Sequence, residues 1–251
     1  MNEQVLKGRA NAPLAYSRTR RGGRRRNDII RHARKLFSAK GFQQTTVDDI
    51  AGEVGIKREG VYYYFRNTSE ILLEVVRPNM EFLNSSTRRV LDSNLHPESK
   101  FFLFIYIHLI NLDSPTFFSL GLNPTNGSES ELAYIHRELR PYRKRYEEFW
   151  MKLIGEARDN GAFRDTGDIK LTVYAILGMC NWLSRWFDPS RNGDIGRVAD
   201  VFVSLAGFGL FTGETSAQTR EMSPERLAEI SAFIIEHPDA VVFDRAGDGT
   251  G

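Results

Sequence analysis

The sequence predicts an all-α protein of about nine to ten helices, and three observations lead there. Apolar residues recur three and four apart over most of the chain, the period of a helix with one buried face. Capping residues such as Thr46 and stop glycines such as Gly41, Gly55 and Gly161 fall at the edges of those runs. The third observation is the stretch 45–65, TTVDDIAGEVGIKREGVYYYF, in which two short helices flank one tight turn.

That stretch organises the rest. Thr45 and Thr46 are good N-caps, and Asp48 or Asp49, three residues on, can close a capping box. Val47, Ile50, Ala51 and Val54 share one face, and Gly55 sits where positive φ lets the first helix stop. A second helix starts near Lys57 and runs KREGVYYYF, with Val61 and Phe65 four apart for packing. Lys57, Arg58, Glu59, Gly60, Tyr62 and Tyr63 are left to face outward. Two helices around a short Gly-containing turn form a helix-turn-helix, whose second helix enters the DNA major groove. An ordinary helical hairpin with a wet basic face is the competing reading.

Charge is arranged to match. The net charge is +2, but residues 1–66 carry 15 Lys and Arg against 6 Asp and Glu, and the remainder 19 against 26. A basic head on an acidic body fits nucleic-acid binding, although basic blocks also occur in plain solvated tails. Composition is that of an ordinary globular chain, 41% hydrophobic and 26% charged. A single cysteine, Cys180, excludes an internal disulfide and any multi-Cys zinc cluster. With no signal-peptide core and no run of 18 apolar residues, the expectation is a cytoplasmic protein without a membrane partner.

Residues 1–23 read as a disordered basic arm, with Arg18, Arg20, Arg21, Arg24, Arg25 and Arg26 clustered towards its end. Such an arm reaches phosphates or a narrow minor groove, or simply adds non-specific affinity. A first helix, roughly Arg25 to Lys40, carries Ile29, Ile30, Ala33, Leu36 and Phe37 as its buried stripe. It completes a three-helix domain over 24–70. A fourth helix runs to about Asp92, with Pro78 predicting a kink or break near Arg77. Residues 98–113 are apolar nearly all round, marking a helix buried on most sides. A short helix near Phe117–Leu120 and a loop to 130 follow, then a long helix from Glu131 to Asn160, which Pro141 can bend. Helices over about Asp168–Phe187 and Asp194–Gly213 close the 71–213 domain, joined by the turn DPSRNGD. The extension 214–251 holds one capped amphipathic helix, SPERLAEISAFIIEHP, and a Gly/Asp tail that reads as disordered.

Nothing points to catalysis. There is no Gly-rich phosphate loop, no HExxH pair and no nucleophile elbow. His32, His96, His108, His136 and His237 have no metal-ligand spacing, and Cys180 among apolar neighbours reads as an inert buried thiol. No catalytic residue, metal site or cofactor is predicted.

Phe37, Gly41, Thr46, Ile50-Ala51, Gly55-Ile56, Val61-Tyr62-Tyr63, Phe65 and Glu70-Ile71-Leu72 give residues 25–75 a pattern that resembles the N-terminal domain of TetR-family transcriptional regulators. The resemblance implies a homodimer that binds double-stranded operator DNA, most often as a repressor, with a C-terminal domain for ligand binding and dimerisation. An activator or a ligand-independent DNA-binding protein is the alternative. It implies DNA contacts at Thr46, Tyr62 and Tyr64, the last where a phosphate-touching histidine is common. Lys57 and Arg58 lie where base edges or phosphates are met, and Arg58 has the planar fork that suits guanine. Gly60 permits close approach, and Tyr63 and Arg24, Arg25 and Arg26 complete the set. Two residues depart from the family pattern: Glu59, which must pair with Arg58 or accept from cytosine, and Thr68, in place of a phosphate-binding lysine.

The same resemblance implies a small-molecule effector among the helices after residue 95. Candidates are Phe101, Phe104, Tyr106, His108, Phe117, Tyr146, Trp150, Met179, Trp182 and Trp186, although such stripes also make plain core. Trp182-Leu-Ser-Arg-Trp186-Phe187-Asp-Pro189 is similar to a pattern in members that regulate lipid or steroid breakdown and sense acyl-CoA thioesters. Arg137, Arg140, Arg143, Lys144 and Arg145 would supply cations for CoA phosphates, or form a solvated face. The implied dimer forms through a four-helix bundle of the last two helices of each chain; packing into a monomeric core is the alternative.

Overall fold

The computed structural model describes residues 20–112, 129–212 and 224–241, helices joined by turns with one isolated antiparallel bridge between Phe163 and Phe211. The expected arm before residue 20, the short helix near Phe117–Leu120, most of the loop around it and the terminal tail lie outside the described residues.

Helix α1 spans Arg20–Lys40, starting earlier than its apolar stripe. Glycines at 22 and 23 cost helix stability of about 1 kcal/mol each relative to alanine, yet the helix runs through them and Gly22 is buried. Arg24, Arg25 and Arg26 are helical residues of α1, which starts about five residues earlier than the expected Arg25. Gly41 ends the helix at φ +84. Helix α2, Val47–Val54, is closed at its start by a capping box between Thr46 and Asp49, so Asp49 rather than Asp48 takes that role. Gly55 at φ +70 ends it in the left-handed conformation. Helix α3, Arg58–Tyr62, is one short turn, briefer than the KREGVYYYF run.

Helix α4, Thr68–Asp92, runs unbroken through Pro78, so of the expected kink or break the break does not occur. A proline there removes the hydrogen bond to the Glu74 carbonyl. Pro78 is exposed, and water can satisfy that carbonyl while buried residues hold the helix on both sides of it. Helix α5, Pro97–Leu112, is buried on most sides. Helix α6, Glu129–Asp159, also runs through an exposed proline, Pro141. Helix α7, Ile169–Trp182, passes into a 3-10 turn, Leu183–Arg185. The expected turn at 188–194 contains a four-residue helix, α8, Pro189–Asn192. Helix α9 is Ile195–Leu210.

Two hydrophobic cores result. The first joins Ile29, Phe37, Ile50, Val61 and Phe65 to Ile71–Met80 of α4 and to Ile135 and Leu139 of α6. The second gathers Leu83, Val90 and Leu91 of α4, nearly all of α5, Tyr146 to Ala157 of α6, and parts of α7 and α9. Helices α4 and α6 belong to both, so packing passes from one core to the other inside α4 rather than at residue 70. Pro78 and Pro141 lie close to that passage. Phe101 centres the second core, its ring edge-on to Trp150, Phe163 and Phe211 at 5.9, 5.7 and 5.6 Å.

The extension belongs to this core. Helices α10, Pro224–Glu236, and α11, Pro238–Val241, bury Ile230, Phe233 and Ala240 against α4 and α5. Glu229 accepts from the backbone N–H of His96 (2.9 Å) and the hydroxyl of Ser99 (2.5 Å), serving donors at the start of α5. Arg89 of α4 pairs with Asp239 at 2.9 Å.

Candidate nucleic-acid interface and effector core

Thr46 does two jobs at the start of α2. Its hydroxyl oxygen accepts from the Asp49 N–H (3.1 Å), and its own N–H and O–H both approach the Asp49 carboxylate at 2.7 Å. Lys40 reaches the same carboxylate from α1 at 2.7 Å. Lys40 first, then Thr46, hold that carboxyl well below the usual range. The contact fixes α2 on α1, and through the Gly55 turn it sets where α3 stands.

On α3, Lys57, Arg58 and Glu59 are exposed, as are Tyr62 (40%) and Tyr63 (66%). Tyr64 is half-buried, edge-on to Tyr63 and packed on the first core. A side chain at Gly60 would point at Ile56, 3.4 Å away, so the outer side there is bare backbone. Arg58 is the organised member. Its Nη1 donates to Asp48 Oδ2 and its Nη2 to the Tyr62 hydroxyl, both at 2.9 Å, and its guanidinium lies 5.3 Å from the Tyr62 ring centre. The pairing with Glu59 is thus replaced by one with Asp48, ten residues back on α2. In sequence Asp48 reads as a capping residue; only the α2–α3 crossing brings the two together.

Thr68 is the first residue of α4, behind an Asn67 cap that accepts from Glu70 N–H at 2.9 Å. Arg24 and Arg25 are exposed on α1. Arg26 is turned inward: it pairs with Glu74 of α4 at 2.6 Å and lies 5.0 Å from the Phe65 ring centre. That residue ties α1 to α4, an internal contact that competes with the one expected to DNA.

The effector candidates divide. Phe101, Phe104 and Trp150 are fully buried core, with Phe104 edge-on to Trp150 at 5.0 Å. His108 is buried beside them; one ring nitrogen meets the Tyr146 hydroxyl at 2.9 Å and the other Asn181 Oδ1 at 3.1 Å. Because an amide oxygen only accepts, Nε2 carries the proton and Tyr146 donates to Nδ1. Burial pushes the His108 pKa down to about 4 and raises that of the Tyr146 phenol. Asn181 is absent from the sequence candidates, since its partner lies on another helix. Asn111 Oδ1 is buried with no partner. Tyr106 is half-buried, stacked on Phe102, and Met179 is half-buried. Trp182 (64% exposed) and Trp186 (44%) stand on the surface. Phe117 lies outside the described residues. Of the α6 cations, Arg143 bonds His136, Lys144 pairs with Glu148, and Arg140 and Arg145 are exposed.

Leu171 and Tyr174 of α7 and Val201, Leu205 and Phe208 of α9 are exposed, with Trp182 and Trp186 nearby in sequence on the α7 side. No helix among the described residues is long and apolar enough to cross a membrane, and none of them form a group that could hold a metal ion.

Comparison with known proteins agrees with this geometry. Residues 29–75 match the family described as bacterial regulatory proteins, tetR family, and residues 103–210 match the tetracyclin repressor-like C-terminal domain. The HTH-type transcriptional repressor KstR2 of Mycobacterium tuberculosis is 25% identical over 190 residues, 74% of this chain and 92% of the relative. The crystal structure of PfmR, a TetR family regulator from Thermus thermophilus, aligns with TM-score 0.61 and 28% identity over 75% of this chain and 98% of that one. A structure of AibR in complex with isovaleryl coenzyme A and operator DNA shares the fold, with TM-score 0.60 and 22% identity over 72% and 97% of the two chains. Helices α10 and α11 lie beyond both matched regions. With its helix-turn-helix head and helical body both accounted for, the chain belongs to the tetR family of bacterial regulatory proteins: a DNA-binding transcriptional regulator and not an enzyme.

Proposed function

We propose that the protein is a cytoplasmic, homodimeric repressor that binds a pseudo-palindromic operator and leaves it when a small apolar effector, of the acyl-CoA thioester class, occupies its body. The observation that carries the DNA half is the exposed Lys57–Tyr63 surface of α3, held in place by the Lys40–Asp49–Thr46 contact and the Gly55 turn. Two such helices related by a two-fold axis would enter major grooves about 34 Å apart. The exposed apolar faces of α7 and α9 are the natural surface for that axis.

The effector half draws on the buried Asn111 Oδ1, a polar group that a ligand could satisfy near the His108–Tyr146–Asn181 chain. It draws also on the relatives: KstR2 is a ketosteroid transcriptional regulator by description, and AibR was captured with isovaleryl coenzyme A. An effector that prefers a body conformation with wrongly spaced heads would shift the dimer off DNA, and operator would weaken effector binding by the same factor.

The test is fluorescence anisotropy with DNA flanking the protein's own gene, titrated with short-chain, long-chain and steroid-derived acyl-CoAs. Tight binding released by one thioester supports the full reading. Tight binding unaltered by all of them refutes the effector class and favours a ligand-independent regulator. Tyr62→Ala, with helicity intact by circular dichroism, should weaken operator binding strongly; unchanged affinity would refute the placement of α3 in the groove.

A further inference from the structure

Asp48 presents an electrostatic contradiction. It is a carboxylate with its side chain 62% exposed, on the first turn of α2 beside the residues offered to DNA, where a negative charge opposes phosphate. It is not needed to cap α2, since Thr46 and Asp49 already form the capping box. What it does is hold Arg58. Nη1 of the guanidinium goes to Asp48 and Nη2 to Tyr62 OH, while the Tyr62 ring lies against the same group. A long side chain that would otherwise sample many rotamers is thereby fixed by two neighbours on two helices. Two of its five N–H groups are used, leaving three to meet an acceptor.

We infer that Asp48 is a positioning residue for sequence discrimination: with Tyr62 it presets Arg58 as a fork for guanine O6 and N7, at some cost in overall affinity. This rests on the operator-binding reading above. Arginine set bidentate on guanine discriminates by position and orientation, and a preset fork loses less side-chain freedom on binding. A carboxylate at that site sharpens choice of base while weakening attraction to any backbone.

The experiment is selection of binding sites from a random duplex library, on full-length protein, for wild type, Asp48→Ala, Asp48→Asn and Arg58→Ala. Arg58→Ala should flatten one base-pair position in each half-site, with a loss of preference on the order of ten-fold. Asp48→Ala should flatten that same position and leave the others, while binding a fixed random-sequence duplex more tightly than wild type. Asp48→Asn, whose side-chain oxygen still accepts from Nη1, should keep the preference. Combining Asp48→Ala with Arg58→Ala should add nothing at that position beyond Arg58→Ala alone. Thermal unfolding followed by circular dichroism checks that each variant folds. An Asp48→Ala profile identical to wild type, or one flattened at a position that Arg58→Ala leaves intact, overturns the inference. Failure of wild type to enrich any sequence would instead overturn the operator-binding reading itself.

Discussion

Phe208 offers the sharpest test of the proposed dimer axis, because α9 leaves it 66% exposed in the single chain. A phenylalanine side chain carries about 200 Å², so roughly 130 Å² is available to bury at an interface. At about 25 cal/mol per Å² this is worth ~3 kcal/mol per protomer. Phe208→Ala keeps the Cβ and forfeits about 2 kcal/mol of it, and two-fold symmetry counts the loss twice, giving ~4 kcal/mol. That corresponds to about a thousand-fold in the dimer dissociation constant, an upper limit because ordering the ring on association offsets part of the gain. Sedimentation equilibrium over a dilution series reads the constant directly, and far-UV circular dichroism at high concentration confirms that the exposed site leaves the fold intact. A wild-type monomer at micromolar concentration refutes the dimer. A variant constant within a few-fold of wild type refutes this face as its interface.

Glu229→Ala should lower stability by about 1–3 kcal/mol in urea unfolding, since it strands the donors of His96 and Ser99. Desolvation pushes the Glu229 carboxyl pKa up, but the hydrogen bonds from Ser99 and His96 and the nearby Arg226 together outweigh it and leave the pKa lowered. Its contribution is therefore present above the ordinary carboxylate value and lost as pH falls from there through the lowered folded value, and the variant should lack that part of the acid slope. His108 behaves oppositely in origin: burial holds its pKa down to about 4, so the unfolded chain binds the extra proton between about pH 6.5 and 4. Stability should fall over that window in wild type and less in His108→Gln, as measured by urea titration at pH 7 and 5. Cys180, its thiol pushed up to about 12 by burial, should resist maleimide at pH 8 in the native protein and react fully in urea. Rapid native labelling would place it outside the core.

Local chemistry was legible in the sequence wherever it acts over a few residues. The stops at Gly41 and Gly55 and the cap at Thr46 depend on neighbours within one turn, and they stand where spacing puts them. At Pro78 the local cost does not decide between a kink and a break; buried residues from Ile71 to Leu91 hold α4 unbroken around one missing hydrogen bond. The site was harder. Arg26 and Arg58 look like free cations in one dimension, yet their partners Glu74 and Asp48 lie on other helices. The same holds for Asn181 on His108 and for the docked extension, whose anchor Glu229 serves donors more than a hundred residues earlier. Periodicity shows which face is buried, not what it is buried against.

The sharing of the first core by α6 bears on how the protein is made. Ile135 and Leu139 are 2% and 6% exposed within the core that supports α3, but they are synthesised some seventy residues after that helix. Domains generally fold as the ribosome releases them, first segments first. Here the head cannot complete its interior until residue 139 has emerged. A nascent or truncated N-terminal fragment therefore lacks part of the packing under α3, and that packing arrives only with a chain that already carries part of the body.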